Sequence, residues 1–355
     1  MAEARMDYWR FFSDDARRTG SVLYAQLAAS IDRDTELRAL AARARDGQPH
    51  ANLLLGAVHF LLLRGAEHPL RRFYPSAGGA TPAESEDPFP DFRAFVHTHH
   101  AEIARLIETR VTNTNEIGRS ALLHPGFRMI AKEGAAPLSL IEIGPSAGLN
   151  LIWDRYGVRY RKAGDIVAAL NETAPLVIDC ELRGDRLPPT GPAPAIGGRL
   201  GLELNPVDLA NVDDRDWLRA LIWPDQGSRL QRLDRAIELF AQEKPPIRAG
   251  DALALLPDAL AAVPAGQVPV VFHTIAVYQF SREMREALES ILTVAGLRRS
   301  VWRLSFEFNA INRDGGTGGL GDAYFLSIIR YGDGVREERR LASAHPHGTW
   351  LEWIA

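Results

Sequence analysis

Residues 138–150 read Leu-Ser-Leu-Ile-Glu-Ile-Gly-Pro-Ser-Ala-Gly-Leu-Asn, and this stretch decides the fold. Its apolar half, Leu138 to Ile143, predicts a buried central strand of a parallel sheet. The small residues that follow remove the side chains that would hold a ligand away from the backbone. Glu142 falls at the carboxyl edge of the predicted strand, where open α/β sheets bind ligands. The stretch therefore predicts a cofactor loop.

Spacing distinguishes between the nucleotide-binding loops that share this strand-turn-helix geometry. A dinucleotide fingerprint, Gly-x-Gly-x-x-Gly, counted from Gly144 would need glycines where the chain has Ser146 and Leu149. A phosphate-binding P-loop needs Lys and then Ser or Thr after its last glycine, but Gly148 is followed by Leu149 and Asn150. Neither loop fits the sequence.

The remaining pattern, acid-x-Gly-x-small-x-Gly, resembles the first motif of class I S-adenosylmethionine-dependent methyltransferases. Its marked positions are Glu142, Gly144, Ser146 and Gly148, with Ser146 in place of the usual glycine. The resemblance implies that S-adenosylmethionine is the cofactor and that Asn150 joins its binding loop. Backbone N–H groups near the helix start would meet the cofactor's carboxylate, while the acid favours its amino group. The alternative is a strand-to-helix turn whose glycines serve packing only.

Two later acids extend this resemblance to the rest of the cofactor. Glu203, or failing that Asp208, follows the predicted second strand, where the family's acid receives the two ribose hydroxyls. Asp251 lies in Gly250-Asp251-Ala252, which resembles the motif whose acid accepts from the adenine amino group. The alternative for Asp251 is an N-cap of the following helix, and the two roles are compatible.

The stretch after the predicted fourth strand is the one that normally faces the transferred methyl group. It contains His273, Thr274, Tyr278 and Gln279, and the resemblance implies cofactor contacts for His273 and Thr274. His273 and Tyr278 are the candidate catalytic residues. A neutral imidazole at His273 would act as base on the acceptor; the alternative is a packed histidine at a strand end. Because methyl transfer depends mostly on positioning, no catalytic triad is required.

Hydrophobic periodicity divides the chain near residue 136. Residues 1–135 have helical spacing and predict an all-helical N-terminal domain. Residues 136–355 alternate strand and helix, which predicts an α/β fold: a Rossmann-like methyltransferase sheet with helices on both faces. Residues 160–198 are rich in Pro and Gly and predict an insertion that covers the site or shapes a substrate pocket. Strands at Ala323 to Tyr331 and Thr349 to Ile354 predict an antiparallel edge hairpin.

A polar segment lies just before the cofactor strand, within the helical region. Asn115, Glu116 and Arg119 are candidates for substrate binding, because they are placed to reach over the site as a lid. The alternative is that they cap a helix and form a solvated ion pair.

Nearly the whole sequence also resembles a bacterial family known as domain of unknown function 2332. This resemblance supports the fold and implies no substrate. The segments that carry it are 114–119, 124–128, 142–150, 153–156, 205–208, 217–224 and 250–252.

Composition indicates a globular protein with a substantial core. The 355 residues are 46% hydrophobic and 24% charged, and the net charge of −4 gives no general signal for nucleic acid. No apolar stretch reaches the roughly 18 residues of a membrane span and the start lacks a signal peptide's apolar core, so we expect a cytoplasmic protein. Cys180 is the only cysteine, and no convergent ligand set predicts a metal site.

These observations predict methyl transfer from S-adenosylmethionine to an acceptor that we expect to be a small molecule. The alternative is a non-catalytic ligand-binding or regulatory protein that retains the fold. Ser146, the long insertion and the lack of a recognisable acceptor motif leave this alternative open.

Overall fold

A computed structural model describes residues 8–308 and 324–355. The chain forms two compact units, and each combines two separate stretches of sequence. The first unit is Met1–Thr114 with Val207–Leu233, and the second is Asn115–Pro206 with Asp234–Ala355.

The described residues of the first unit form helices around one buried helix, α4. All residues from Leu53 to Leu62 are buried, as expected for a helix that is apolar on every side. Trp217 and Leu221, from the second stretch of sequence, belong to the same core. The helices of this unit are α1 Tyr8–Arg18, α2 Val22–Ile31, α3 Thr35–Ala41, α4 His50–Leu63, α5 Phe89–Thr98, α6 His100–Thr109 and α8 Val212–Ala220, and α9 Gly227–Glu243 begins in it.

The expected helical domain of residues 1–135 differs from this unit at its carboxyl end. Helix α7, Ser120–Gly134, belongs to the second unit because it packs on the sheet. The ring centroids of Phe127 and Phe272 are 5.2 Å apart. A Cβ atom on Gly126 would lie only 2.6 Å from Leu304, so the helix approaches the strands closely at this point.

One large, mostly parallel sheet organises the second unit. Within the described residues it has eleven strands in the order β3-β2-β4-β11-β10-β9-β8-β7-β1-β5-β6. The strands are β1 Leu138–Ile143, β2 Gly157–Lys162, β3 Asp165–Leu170, β4 Val177–Arg183, β5 Ile196–Glu203, β6 Ile247–Ala249, β7 Val268–Thr274, β8 Val301–Phe308, β9 Tyr324–Gly332, β10 Val335–Ala344 and β11 Trp350–Trp353.

The predicted central strand is confirmed. β1 has the bounds expected from its apolar run, every residue in it is buried, and it pairs in parallel with β5 and β7. The next two strands on this side, β7 and β8, pair in parallel as well.

Helices flank this sheet, which makes the unit a mixed α/β structure. Helices α10, Ala252–Ala261, and α11, Arg282–Gly296, share a buried cluster with Ile141 and Val271. Helix α7 packs against Phe272, the next residue along β7. Because successive strand residues point to opposite faces, helices cover both sides of the central strands.

One expectation about the sheet needs correction, and the predicted insertion at 160–198 has a clear place in the structure. Strands β3 and β4 lie within this stretch and β2 ends in it, and the three strands extend one end of the sheet. The last strands were expected to form an edge hairpin, but β10 lies between β9 and β11, and β4 pairs with β11 on its other side. Ala323, the expected start of β9, lies outside the described residues.

Candidate ligand crevice

The strand order of the sheet reverses at β1. Strands β5 and β6 lie on one side of β1, and β7 and β8, which come later in the chain, lie on the other. The loops leaving the carboxyl ends of β1 and β7 therefore diverge, and open α/β sheets bind ligands between such loops. We call the region between residues 144–148 and residues 275–279 the crevice.

The loop after β1 has a left-handed backbone at all three small positions. The φ angles of Gly144, Ser146 and Gly148 are +68°, +57° and +82°. A Cβ atom on Gly144 would lie 2.9 Å from the Cβ atom of Ala276, and one on Gly148 would lie 2.9 Å from Ile247. Both glycines are therefore required by backbone conformation and by close packing inside the unit.

Backbone N–H groups of this loop already have acceptors within the protein. We expected them to meet a ligand carboxylate, but the N–H groups of Gly144, Ser146, Gly148 and Leu149 each donate to a protein oxygen. The acceptors are, in that order, the Leu202 carbonyl at 3.0 Å, Glu203 Oε2 at 2.8 Å, the Pro145 carbonyl at 2.8 Å and Asn115 Oδ1 at 3.1 Å. These four N–H groups are therefore engaged within the protein.

Glu142 is a buried acid that lacks a full set of partners. It is 1% exposed, and its Oε2 atom has no hydrogen-bond partner among the described residues. Burial, and then the nearby Glu203, raise the pKa of Glu142 well above its usual value, while Arg119 opposes that shift. Because a buried polar atom without a partner is costly, a cationic ligand group at this position would satisfy it.

Glu203 is engaged with the loop after β1. Its Oε2 accepts from the N–H of Ser146 at 2.8 Å, and its Oε1 accepts from the N–H of Asn205 at 3.0 Å. It is 8% exposed, and burial raises its pKa despite these backbone hydrogen bonds. The carboxylate expected to receive ribose hydroxyls therefore also fixes the conformation of the loop.

The polar segment before α7 reaches the carboxyl ends of the same strands. Arg119 donates from Nη1 to the Thr274 carbonyl at 2.7 Å and from Nε to the Pro346 carbonyl at 2.9 Å. Asn115 accepts from the loop at Leu149, as described above. Glu116 is buried and caps a short turn by accepting from the N–H of Gly118 at 3.0 Å. The expected capping role of this segment is confirmed for Glu116, and Arg119 lies at the crevice.

The loop after β7 is fixed by an acid that the sequence analysis missed. Glu307, near the end of β8, accepts from the N–H groups of Ala276 and Val277 at 3.0 Å each and of Tyr278 at 3.3 Å. Tyr278 itself is 53% exposed, so its ring is available to a ligand. One signal in the sequence marks Glu307: like Arg303, it is a charged residue in a mostly apolar strand.

His273 is fully buried, and both of its ring nitrogens are engaged. Nδ1 lies 2.6 Å from Glu307 Oε1, and Nε2 accepts from Arg303 Nε at 2.9 Å. Burial, and then Arg303, lower the pKa of His273, so the ring is neutral with its proton on Nδ1. This arrangement matches the packed-histidine alternative, because the lone pair on Nε2 is already used and cannot accept an acceptor's proton.

Three further candidates have clear local surroundings. Asp251 is the N-cap of α10 and accepts from the N–H of Leu253 at 2.8 Å, so its predicted capping role is confirmed. Asp208 accepts from the N–H of Ala210 at 2.9 Å in a turn of the first unit. Asn150 is buried, and its Oδ1 has no hydrogen-bond partner among the described residues.

Within residues 8–308 and 324–355, no group of three or more His, Cys, Asp or Glu side chains is arranged to hold a metal ion. No helix in that part of the chain is both long and apolar enough to cross a membrane.

Fold and site together define an α/β protein with a candidate ligand crevice at the switch point of a mostly parallel sheet. The model of one family, described as an uncharacterized protein conserved in bacteria (DUF2332), matches residues 7–353. The chain therefore belongs to the DUF2332 family. Searches of curated proteins and of solved structures found no match.

Proposed function

We propose that this protein binds S-adenosylmethionine in the crevice and transfers its methyl group to a small acceptor in the cytoplasm. The observation that carries the proposal is Glu142, a buried carboxyl group with an unpartnered oxygen at the carboxyl end of the central strand. S-adenosylmethionine has an ammonium group and a carboxylate on the same carbon. Glu142 would accept from the ammonium group. Bound there, the cofactor supplies an activated methyl group.

Arg119 is the cation best placed for the cofactor's carboxylate. Burial raises the pKa values of Glu142 and Tyr278, and the positive charge of Arg119 lowers both of them. This role replaces the expected contacts with the loop N–H groups, which already have protein acceptors. An acid and a guanidinium within electrostatic reach of each other suit a zwitterionic ligand.

The topology supports a nucleotide ligand in this position. Read as β6-β5-β1-β7-β8, the parallel half of the sheet has the order 3-2-1-4-5 of a doubly wound fold. Such sheets bind nucleotides where the order reverses, which here is between β1 and β7. In this proposal Glu203 would contact the ribose and Asp251 the adenine. Each would also keep the hydrogen bonds that it accepts from backbone N–H groups.

Titration of the purified protein with S-adenosylmethionine and S-adenosylhomocysteine tests the proposal. Gly144→Val should abolish binding of both, because a side chain there would meet Ala276 and strain a backbone at φ +68°. Gly334→Val is the matched control: its φ is +75°, yet a Cβ atom there would have no neighbour within 4 Å. Undiminished binding by a folded Gly144→Val protein would overturn the cofactor assignment.

The second candidate function is binding without transfer, and His273 favours it. Both ring nitrogens of this residue are engaged, so the crevice has lost its expected base. Incubation with methyl-labelled cofactor and pools of cell metabolites, protein and RNA separates the two functions. Label in a small-molecule fraction supports transfer, whereas tight binding without any labelled product supports a regulatory or ligand-binding role.

A further inference from the structure

The loop after β7 has a backbone conformation that its sequence disfavours. Ile275 has φ +53°, although a β-branched side chain rarely adopts the left-handed region. Its N–H donates to the Phe306 carbonyl at 2.8 Å. Strained residues of this kind persist only where the surrounding structure fixes them, and they concentrate at functional sites.

Glu307 provides the fixing contacts in the next three residues. A single carboxylate accepts from three consecutive backbone N–H groups, at Ala276, Val277 and Tyr278. These hydrogen bonds join the loop to the end of β8, thirty residues further along the chain. Burial raises the pKa of Glu307, but hydrogen bonds from His273 and the backbone lower it below its usual value, so the carboxylate is ionised. The hydrogen bonds it accepts are therefore stronger than those between neutral groups.

A buried chain of side chains holds Glu307 in turn. His273 Nδ1 lies 2.6 Å from Glu307 Oε1. The other ring nitrogen, Nε2, accepts from Arg303 Nε at 2.9 Å. Arg303 also pairs with Glu289 of α11, whose other oxygen accepts from the Tyr331 hydroxyl at 2.8 Å. Glu307 is thus the inner end of a series of contacts that reaches helix α11.

We infer that Glu307 is a positioning residue for the crevice, which His273 and Arg303 orient, and that it sets ligand affinity by holding residues 275–278 in the strained conformation. This inference rests on the proposed function for the identity of the ligand. It gives His273 a positioning role in place of a catalytic one.

The network ends beside the proposed ligand position. Glu307 accepts from the backbone that borders the switch point between β1 and β7. Gly144 of the opposite loop approaches Ala276 so closely that a Cβ atom would lie 2.9 Å away. Movement of residues 275–278 would therefore change the width of the crevice.

Hydrogen exchange and ligand binding on the full-length protein test the inference together. In Glu307→Gln, amide exchange at Ala276, Val277 and Tyr278 should become at least tenfold faster, and affinity for S-adenosylhomocysteine should fall about tenfold. Tyr331→Phe is the matched control, because it removes a buried hydrogen bond at the outer end of the chain without touching the loop. Equal effects of both variants on exchange and affinity would overturn the positioning role.

A second pair of variants applies if Glu307→Gln fails to fold. His273→Asn keeps an N–H donor for Glu307, whereas His273→Leu removes it. Slow exchange at residues 276–278 in the Asn variant and fast exchange in the Leu variant support the inference; fast or slow exchange in both overturns it. If the wild-type protein binds no S-adenosylhomocysteine, the proposed function fails, and the exchange measurements still decide whether Glu307 holds the loop.

Discussion

Glu142→Gln should make the stability of the protein less sensitive to pH while weakening ligand binding. Burial raises the pKa of Glu142 above its usual 4.5, so the folded protein binds a proton that the unfolded chain releases. An acid of this kind lowers stability as the pH rises from 4.5 towards the pKa in the folded state. The linked change is about 1.4 kcal/mol for each pH unit within that window.

The assay compares the free energy of unfolding of wild type and Glu142→Gln at pH 5, 6 and 7, from urea denaturation. The difference in free energy should grow in favour of the variant by up to about 1.4 kcal/mol per pH unit, whatever constant offset the new amide introduces. Glu286→Gln serves as a control, because that side chain is 64% exposed on α11. Its difference from wild type should stay flat.

The same variant should bind S-adenosylhomocysteine more weakly. Loss of one charged hydrogen bond amounts to about 1.5–3 kcal/mol, or roughly 10–150-fold in Kd. As the pH rises, the variant should gain stability relative to wild type, yet it should bind the ligand more weakly. This combination is expected of a residue that is buried without a full set of partners because it binds a ligand. A stability difference that does not change between pH 5 and pH 7 would refute the reasoning, because the carboxyl group would then be ionised in the folded protein.

Two other substitutions examine the edge of the site. Asp251→Ala should lower the free energy of unfolding by about 1 kcal/mol through loss of the α10 cap. Isothermal titration then shows whether cofactor affinity also falls. Unchanged affinity would leave Asp251 with its capping role alone. Tyr278→Phe should reduce turnover while cofactor affinity stays within about threefold, because the hydroxyl would act mainly on the acceptor. Unchanged turnover on an identified acceptor would remove Tyr278 from the catalytic candidates.

Mostly apolar strands were predictable from sequence, and the highly charged strand β10 was not. β1, β7 and β8 combine β-branched and other apolar residues with clear turn signals, so their bounds follow from local pattern. β10 includes Arg-Glu-Glu-Arg-Arg, and residues 335–340 are exposed on both faces. Its place in the sheet is set by pairing with β9, which local sequence does not show.

The position of the candidate site was predictable from sequence, but the roles of its residues were less so. The acid and small residues of the first loop identify the carboxyl end of β1 from sequence alone. The engagement of His273 depends on Arg303 and Glu307, which lie 30 and 34 residues further along the chain. Contacts at that separation are made by strand register, so the sequence pattern could not distinguish a base from a packed histidine.

The division of the first compact unit between two stretches of sequence affects its synthesis. Residues 8–114 are made early, but their core also needs Trp217, Ala220 and Leu221, and His59 Nδ1 pairs with the Ala220 carbonyl at 2.9 Å. The unit ends at residue 233, so 119 further residues (233 − 114) must be translated first, which takes about 6–24 s at 5–20 residues per second. During that interval the nascent helices expose the apolar surface that Trp217 later covers. A gene fragment ending at residue 135 would therefore encode an incomplete core for the first unit.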